Sequence, residues 1–531
     1  MENNMSDRQD EIDTPEAESV HPRVAGLGRR DLMRLGAGVI ATALSAGKTS
    51  AQDSVEARRR GIPEPPPGQP PPSGPRPHTG PGYKYTANRQ GNNGPMDDST
   101  RKIVEYVRKF DESMLTEPVV KAVNRVMVDS MAACISAFET EPARIAARMG
   151  RYAQPVELKA TILGYGVTTT PELAAFANGV LVRETDLNDA PSHISNLIPG
   201  ALAVGEALHS TGTQVMTAVA MAYDIWEVPG VGESVPPAMA AGKLLGLDED
   251  RLANALSIAL TAHVELNKGV GTLSMWKGVR SAEATKCGIW SALLAREGMT
   301  GPPQPVEGRG GLWAHSGRRE FSLPIRKDEL AIQRQWFKRH PAGAYMQAPL
   351  LLIPEIRKWT KPEEVSWITV DMDEIGENAD NPKWDPPNRE TADHSLPYVI
   401  ARAMIDGDFW LDAFTEEKLK EPKVHELMDK MTFGQVEGWR GSGPMRITIH
   451  KKNGEERYWD TFGGKRQPGY ADYPYLSDEE VLDKFNRVCA FHNVNNGQRD
   501  RARAMWWNLH QVKDIGEAIQ SLARFGKPKP L

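Results

Sequence analysis

The chain has 531 residues, enough for two or more domains and a large core. Its net charge of −6, with Lys and Arg scattered rather than blocked, gives no basis for nucleic acid or an anionic membrane surface as a partner. Three cysteines (Cys134, Cys287, Cys489) stand far apart, and no two of the twelve histidines are three or four residues apart. That excludes an iron–sulfur ligand set and argues against zinc, so neither a metal nor a cofactor is expected.

Gly28-Arg29-Arg30-Asp31-Leu32-Met33-Arg34 resembles the twin-arginine export consensus. The apolar stretch after it, Leu35 to Ala46, is diluted by Gly36, Gly38 and Ser45, and falls short of the roughly 20 apolar residues a membrane span needs. Thr49-Ser50-Ala51 then offers a small-residue cleavage site. Residues 1–51 are expected to be a Tat signal peptide that directs the protein to the periplasm through the Tat export machinery, or anchors it if uncut. Residues 52–97 follow as a Pro/Gly-rich linker. Runs such as Pro65-Pro66-Pro67 and Pro70-Pro71-Pro72 favour polyproline II and cannot build a core.

From about Asp98 the pattern is helical. Val119, Val123, Val126, Met127 and Ser130 share one helical face after Pro118, a residue suited to a first turn. Ala-rich helices are predicted near 173–185, 197–209, 213–226, 236–246 and 250–263, and a longer one from Lys277 to Glu297. No βαβ alternation and no GxGxxG after a strand occurs, which removes the dinucleotide-dependent dehydrogenases.

The character changes after Lys327. Ile368, Val370 and Met372 alternate with polar residues, as do Met445, Ile447 and Ile449, and Asn453-Gly454 signals a hairpin into Tyr458-Trp459. Helices are predicted at 395–406, 413–432 and 477–487 between and after these strands. Asp393-His394-Ser395-Leu396-Pro397-Tyr398 opens the first of them. Capping accounts for Ser395, Pro397 and the terminating Gly407, but not for an imidazole and a phenol at a helix start, where backbone N–H groups favour an anion.

Glu390 to Phe409, ETADHSLPYVIARAMIDGDF, closely resembles the most recognisable stretch of the MmgE/PrpD family, which includes 2-methylcitrate dehydratase, cis-aconitate decarboxylase and iminodisuccinate epimerase. Three further segments fit the family's order. Asp186-Leu187-Asn188-Asp189 with Ser192-His193 is similar to its paired-acid stretch, Trp276-Lys277-Gly278 to its lysine-bearing helix, and Phe337-Lys338-Arg339-His340-Pro341 to its F-K-x-x-P segment.

The resemblance implies a mainly α fold with a large all-α helical domain and a smaller α+β lid. Residues 98–326 would form the first part of the helical domain, 327–487 the lid, and 488–528 the helices that complete the first domain. It implies a cofactor-independent lyase and a homodimer. A small carboxylate is the expected ligand, most simply a 2-methylcitrate-like hydroxy acid to be dehydrated. A decarboxylase, an epimerase or isomerase, and a non-catalytic exported carboxylate-binding protein are the alternatives. Residue by residue it implies catalytic roles for His193 (proton transfer), Asp186 (orienting it) and Tyr398 (leaving-group protonation). Substrate-binding roles fall to Lys277, Lys338 and His394. Three positions depart from the pattern: Ala190 stands where many relatives carry Thr, Gly232-Glu233-Ser234 lacks a frequent His, and Tyr345 lies where dehydratase-like relatives carry His. Losing a donor to a substrate oxygen discriminates strongly against that substrate.

Overall fold

The Asp97 carboxylate starts the fold by capping the helix Asp98–Lys109, accepting from the Thr100 amide at 2.7 Å. Its other oxygen accepts from the Val306 and Glu307 amides, both at 2.9 Å, so the last linker residue is already part of the body. The computed structural model describes residues 96–527 and 531, apart from 191, 264–265, 267–270, 374, 438, 440–444 and 462–475. The twin-arginine segment, its cleavage site and the proline runs lie outside the described residues. Among the described residues, no helix is long and apolar enough to cross a membrane.

Residues 98–296 form helices wherever apolar residues recur at helical spacing, chiefly Glu117–Ala137, Pro171–Arg183, Ile198–Ala207, Gly212–Trp226, Val235–Leu244, Glu249–Ala262 and Trp276–Arg296. Four of these carry Pro in the first turn, where its missing N–H costs nothing. Pro171–Arg183 packs closely against Trp276–Arg296. A Cβ at Gly179 would stand 2.9 Å from the Ala282 Cβ, so only glycine lets the two helices approach this closely. A short hairpin, β1 (Ala160–Ile162) and β2 (Val167–Thr169), packs beside them.

The second apolar cluster begins at Ala342 and gathers around a four-stranded sheet. Its strands are β3 (Val365–Met372), β4 (Met431–Gln435), β5 (Met445–Lys451) and β6 (Glu456–Asp460), in the order β4-β3-β5-β6. β3 runs parallel to β4 and antiparallel to β5. A parallel pair needs a crossover, supplied here by helices Leu396–Asp406 and Pro422–Met428. The predicted helix 413–432 is corrected on this point. Thr415 caps a new short helix, Pro422 starts another, and Met431 to Gln435 leaves helical geometry to join the sheet. The lid bounds shift too, because Leu330, Ile332 and Phe337, and later Leu476, Val481 and Phe485, pack in the first core and not in the lid. Helices Asp478–Phe491, Asn496–Trp507 and Ile515–Ser521 complete that first core.

Candidate active site

Helix Pro171–Arg183 ends in a turn that sets two side chains against each other. Asp186 takes φ 54°, a left-handed conformation that Asp tolerates better than most residues, and buries its carboxylate fully. Its Oδ1 accepts from Arg183 Nη1 and, at 2.7 Å, from Lys338 Nζ, which also donates to the Asp186 carbonyl at 2.9 Å. Burial alone would raise this carboxyl. Arg183, Lys338 and Lys277 outweigh burial and hold it well below the usual carboxylate range.

Seven residues on, His193 repeats the left-handed conformation, also φ 54°, ahead of the short helical turn Ile194–Leu197. Its Nδ1 lies 2.8 Å from the Asp189 carbonyl. A carbonyl can only accept, so Nδ1 carries the proton and Nε2 is the basic pole of the neutral ring. That pole faces Asp186 Oδ1 at 3.6 Å. The Asp189 carboxylate turns the other way, accepting from Ser195 Oγ at 2.6 Å and Tyr223 Oη at 3.0 Å, and so braces the loop from behind.

The lid supplies the mirror arrangement. His394 Nδ1 lies 2.6 Å from Asp393 Oδ1, and its Nε2 faces Asp186 Oδ2 at 3.7 Å. Asp186 Oδ2 accepts no hydrogen bond from the described residues. Lys277 reaches in from the first turn of its helix and pairs with Asp393 Oδ2, both side chains having no solvent exposure. Burial would raise the Asp393 carboxyl, but Lys277 and then His394 bring it down to about 2. Burial, then Lys277, push the His394 imidazolium down to about 4, against Asp393, so the ring is neutral near pH 7. Burial likewise lowers Lys338 to about 8, against the pull of Asp186.

One buried carboxylate, Asp186, therefore sits between two imidazoles, one from the helical domain and one from the lid. His193, Asp186, Lys277, Lys338 and His394, all singled out in the sequence, come together. Tyr398 does not join them. It is the third residue of helix Leu396–Asp406, pointing into the lid core, where it donates to the Ala413 carbonyl and packs edge-on to Phe409. Its assignment as a leaving-group acid is corrected accordingly: the side chain has no exposure, and burial pushes its phenol far above the ordinary range. Sequence reasoning missed Arg183, Asp189 and Tyr223 as supports. Arg183 was detectable as an i, i+3 partner of Asp186, but nothing local marks Tyr223.

The departures from the family pattern now have surroundings. Ala190 pairs through its backbone with Trp336, its amide donating at 2.8 Å. Glu233 accepts from Arg280, one turn beyond Lys277, at 2.6 Å. Tyr345 Oη stands 3.4 Å from the His394 carbonyl.

Asp186, Asp393 and His394 present ligand atoms within 4.8 Å of one another, a spacing that a cation could use. Electrostatics argues the other way. Arg183, Lys277 and Lys338 already place three positive charges on the two carboxylates Asp186 and Asp393, so the immediate cluster invites an anion. A cavity of about 400 Å³ elsewhere, bordered by Arg339, Trp410, Lys484 and Arg487, includes none of these residues.

Comparison with known proteins accords with this architecture. The model of the MmgE/PrpD N-terminal domain matches residues 101–323, and that of the MmgE/PrpD C-terminal domain matches residues 340–511. Human cis-aconitate decarboxylase is 25% identical over 351 residues, 60% of this chain and 72% of that protein. A cis-aconitate decarboxylase-like protein of Aspergillus oryzae is 23% identical over 476 residues, covering 80% of this chain and 97% of its own length. The mitochondrial 2-methylcitrate dehydratase of Yarrowia lipolytica is 25% identical over 201 residues, 35% of this chain and 38% of its own. These likenesses support a lyase-type enzyme.

Proposed function

The chain belongs to the MmgE/PrpD family, and from that premise we propose that it dehydrates a hydroxy di- or tricarboxylic acid using side chains alone. The observation that carries this reading is the pair of imidazoles, each tied at Nδ1 and each turning Nε2 toward Asp186. Elimination of water needs a base and an acid at once, and this arrangement supplies both.

His193 Nε2 takes the proton beside a substrate carboxylate, and Asp186 stabilises the imidazolium that results. The C–H electron pair becomes the new double bond while the C–O bond breaks, and His394, having taken up a solvent proton at Nε2 as the polyanionic substrate binds, passes that proton to the departing hydroxyl, which leaves as water. A ring held near pH 4 is a poor acid store in the empty site. A substrate bearing two or three carboxylates changes that by raising the pKa of the neighbouring imidazole. Lys277 and Lys338 stabilise the enediolate-like charge as it develops, in a place from which water is excluded.

A second reading is decarboxylation of an unsaturated acid, favoured by relatives of that name matching over long stretches. It needs one proton donor rather than an acid–base pair. The test is turnover of purified protein with 2-methylcitrate, citrate and cis-aconitate, following water loss by ultraviolet absorbance and CO₂ release by gas analysis. Water loss abolished by either histidine substitution supports dehydration; CO₂ release surviving one of them supports the alternative. No reaction with any of the three acids defeats both. Export stands as a separate proposal, because the Arg29-Arg30 pair is read by a receptor and not by charge alone. Replacing both by Lys should leave the protein in the cytoplasm, and unchanged periplasmic recovery would count against export.

A further inference from the structure

A further buried ammonium lies behind the cluster and grips its backbone. Lys484, on helix Asp478–Phe491, donates from Nζ to the Leu187 carbonyl at 3.0 Å and to the Lys338 carbonyl at 2.9 Å, and it pairs with Asp129 on helix Glu117–Ala137. Leu187 directly follows Asp186, and Lys338 is the residue whose own ammonium holds Asp186. One side chain from the far end of the sequence thus ties together both segments that make the central ion pair. The same two segments also meet through backbone hydrogen bonds between Ala190 and Trp336, at 2.8 and 3.3 Å. Lys484 and Asp129 are buried, and an ion pair in such a place returns little net stability compared with apolar residues of similar size. Carbonyl oxygens, by contrast, are held in place by it.

We propose that Lys484 is a positioning residue for the reaction: it fixes the spacing between the Asp186 turn and the Lys338 segment, and through them the direction in which His193 faces Asp186. The inference rests on the lyase reading for its kinetic consequence, but its structural consequence can be measured without turnover.

A positioning clamp and a plain ion pair respond differently to the same substitutions. Asp129→Asn together with Lys484→Met removes both charges, so a plain ion pair predicts that stability and turnover recover together. A clamp predicts recovered stability without recovered turnover. With 2-methylcitrate and cis-aconitate as probes, kcat of the double variant should fall about 10²-fold, the scale on which small misplacements act, while KM changes little. Asp129→Asn alone keeps both carbonyl bonds and should retain most of kcat. Amide exchange at Ala190 should accelerate about tenfold in the double variant, with the helices of the body still protected. Wild-type kcat, or an unchanged Ala190 exchange rate, in a folded double variant overturns the proposal. Should that chain fail to fold, Lys484→Gln serves instead: its shorter side chain cannot span both carbonyls, and wild-type kcat and exchange there overturn the clamp equally. If the wild-type protein converts neither of these two acids nor citrate, the lyase reading fails, and Ala190 exchange alone decides the clamp.

Discussion

Asp186 and His193 enter the cluster through left-handed backbone, φ 54° at each, whereas Asp393 and Ser395 flank His394 in ordinary helical and extended conformations (φ −70° and −106°) beside a capped helix. The helical-domain half is held in a conformation that costs roughly 1–3 kcal/mol per residue and persists only because its surroundings over-determine it. Those surroundings are Arg183, Lys338, the Asp189 carboxylate and Tyr223. The lid half uses local geometry that any well-capped helix has, and pairs it with one distant ammonium, Lys277. A residue aimed by strain is fixed by its whole neighbourhood; a residue aimed by a helix end is fixed by a few neighbours in sequence.

The largest expected effect tests whether both halves act in the chemistry. His193→Gln should lower turnover by on the order of 10²–10⁴-fold with a melting temperature close to wild type, and His394→Gln should do the same if dehydration is the reaction. A rate loss confined to His193, measured on the same acid, would make the lid half a binding surface and break the symmetry.

Next in size is the ion pair that anchors the lid half. Lys277→Met leaves the buried Asp393 carboxylate with the neutral His394 ring but no ammonium, and should cost about 3–5 kcal/mol in denaturant unfolding. Adding Asp393→Asn should recover a good part of it. Equal losses in the single and double variants would show that the charges matter less than the shape.

The pH response comes third. Below pH 6.5 the unfolded chain protonates His394 while the fold keeps it neutral down to about 4. The unfolded state then binds more protons, so stability falls as pH drops through that window, by up to about 3 kcal/mol for this residue. His394→Asn should flatten the decline between pH 6.5 and 4. His340, which burial also holds down to about 4, leaves a remaining slope. An unaltered melting profile in His394→Asn would mean that the ring is already charged in the fold.

The smallest effect isolates Tyr398. Tyr398→Phe removes one hydrogen bond to the Ala413 carbonyl and should cost about 0.5–1.5 kcal/mol while leaving kcat unchanged. A large fall in kcat would return the phenol to the chemistry.

Legibility in the sequence followed the same division. Periodic apolar residues and first-turn prolines located the helices, and Asn453-Gly454 located the hairpin between β5 and β6. His394 was legible because an imidazole at a helix start has no capping role. Tyr398 was misread for a related reason. Residues 394 and 398 are close in the motif, but His394 lies in the break between helix Arg389–Ala392 and helix Leu396–Asp406, so the two side chains leave in different directions. β4 was hidden because five residues with a glycine at 434 carry too little alternation to compete with the helical pattern before them. Tyr223 was hidden because a partner 34 residues from Asp189 leaves no local trace.

The helix Asp478–Phe491 has a consequence for how the molecule is made. It packs on Glu117–Ala137, where Arg125 pairs with Asp478 and donates to the Leu476 carbonyl, contacts separated by 353 and 351 positions. A ribosome must therefore release the entire lid before the first domain receives its last layer, and contacts of such range form late and slowly. A nascent chain halted before Leu476 would hold the apolar side of Glu117–Ala137 open to water. Chaperone binding during synthesis should track the emergence of that one helix.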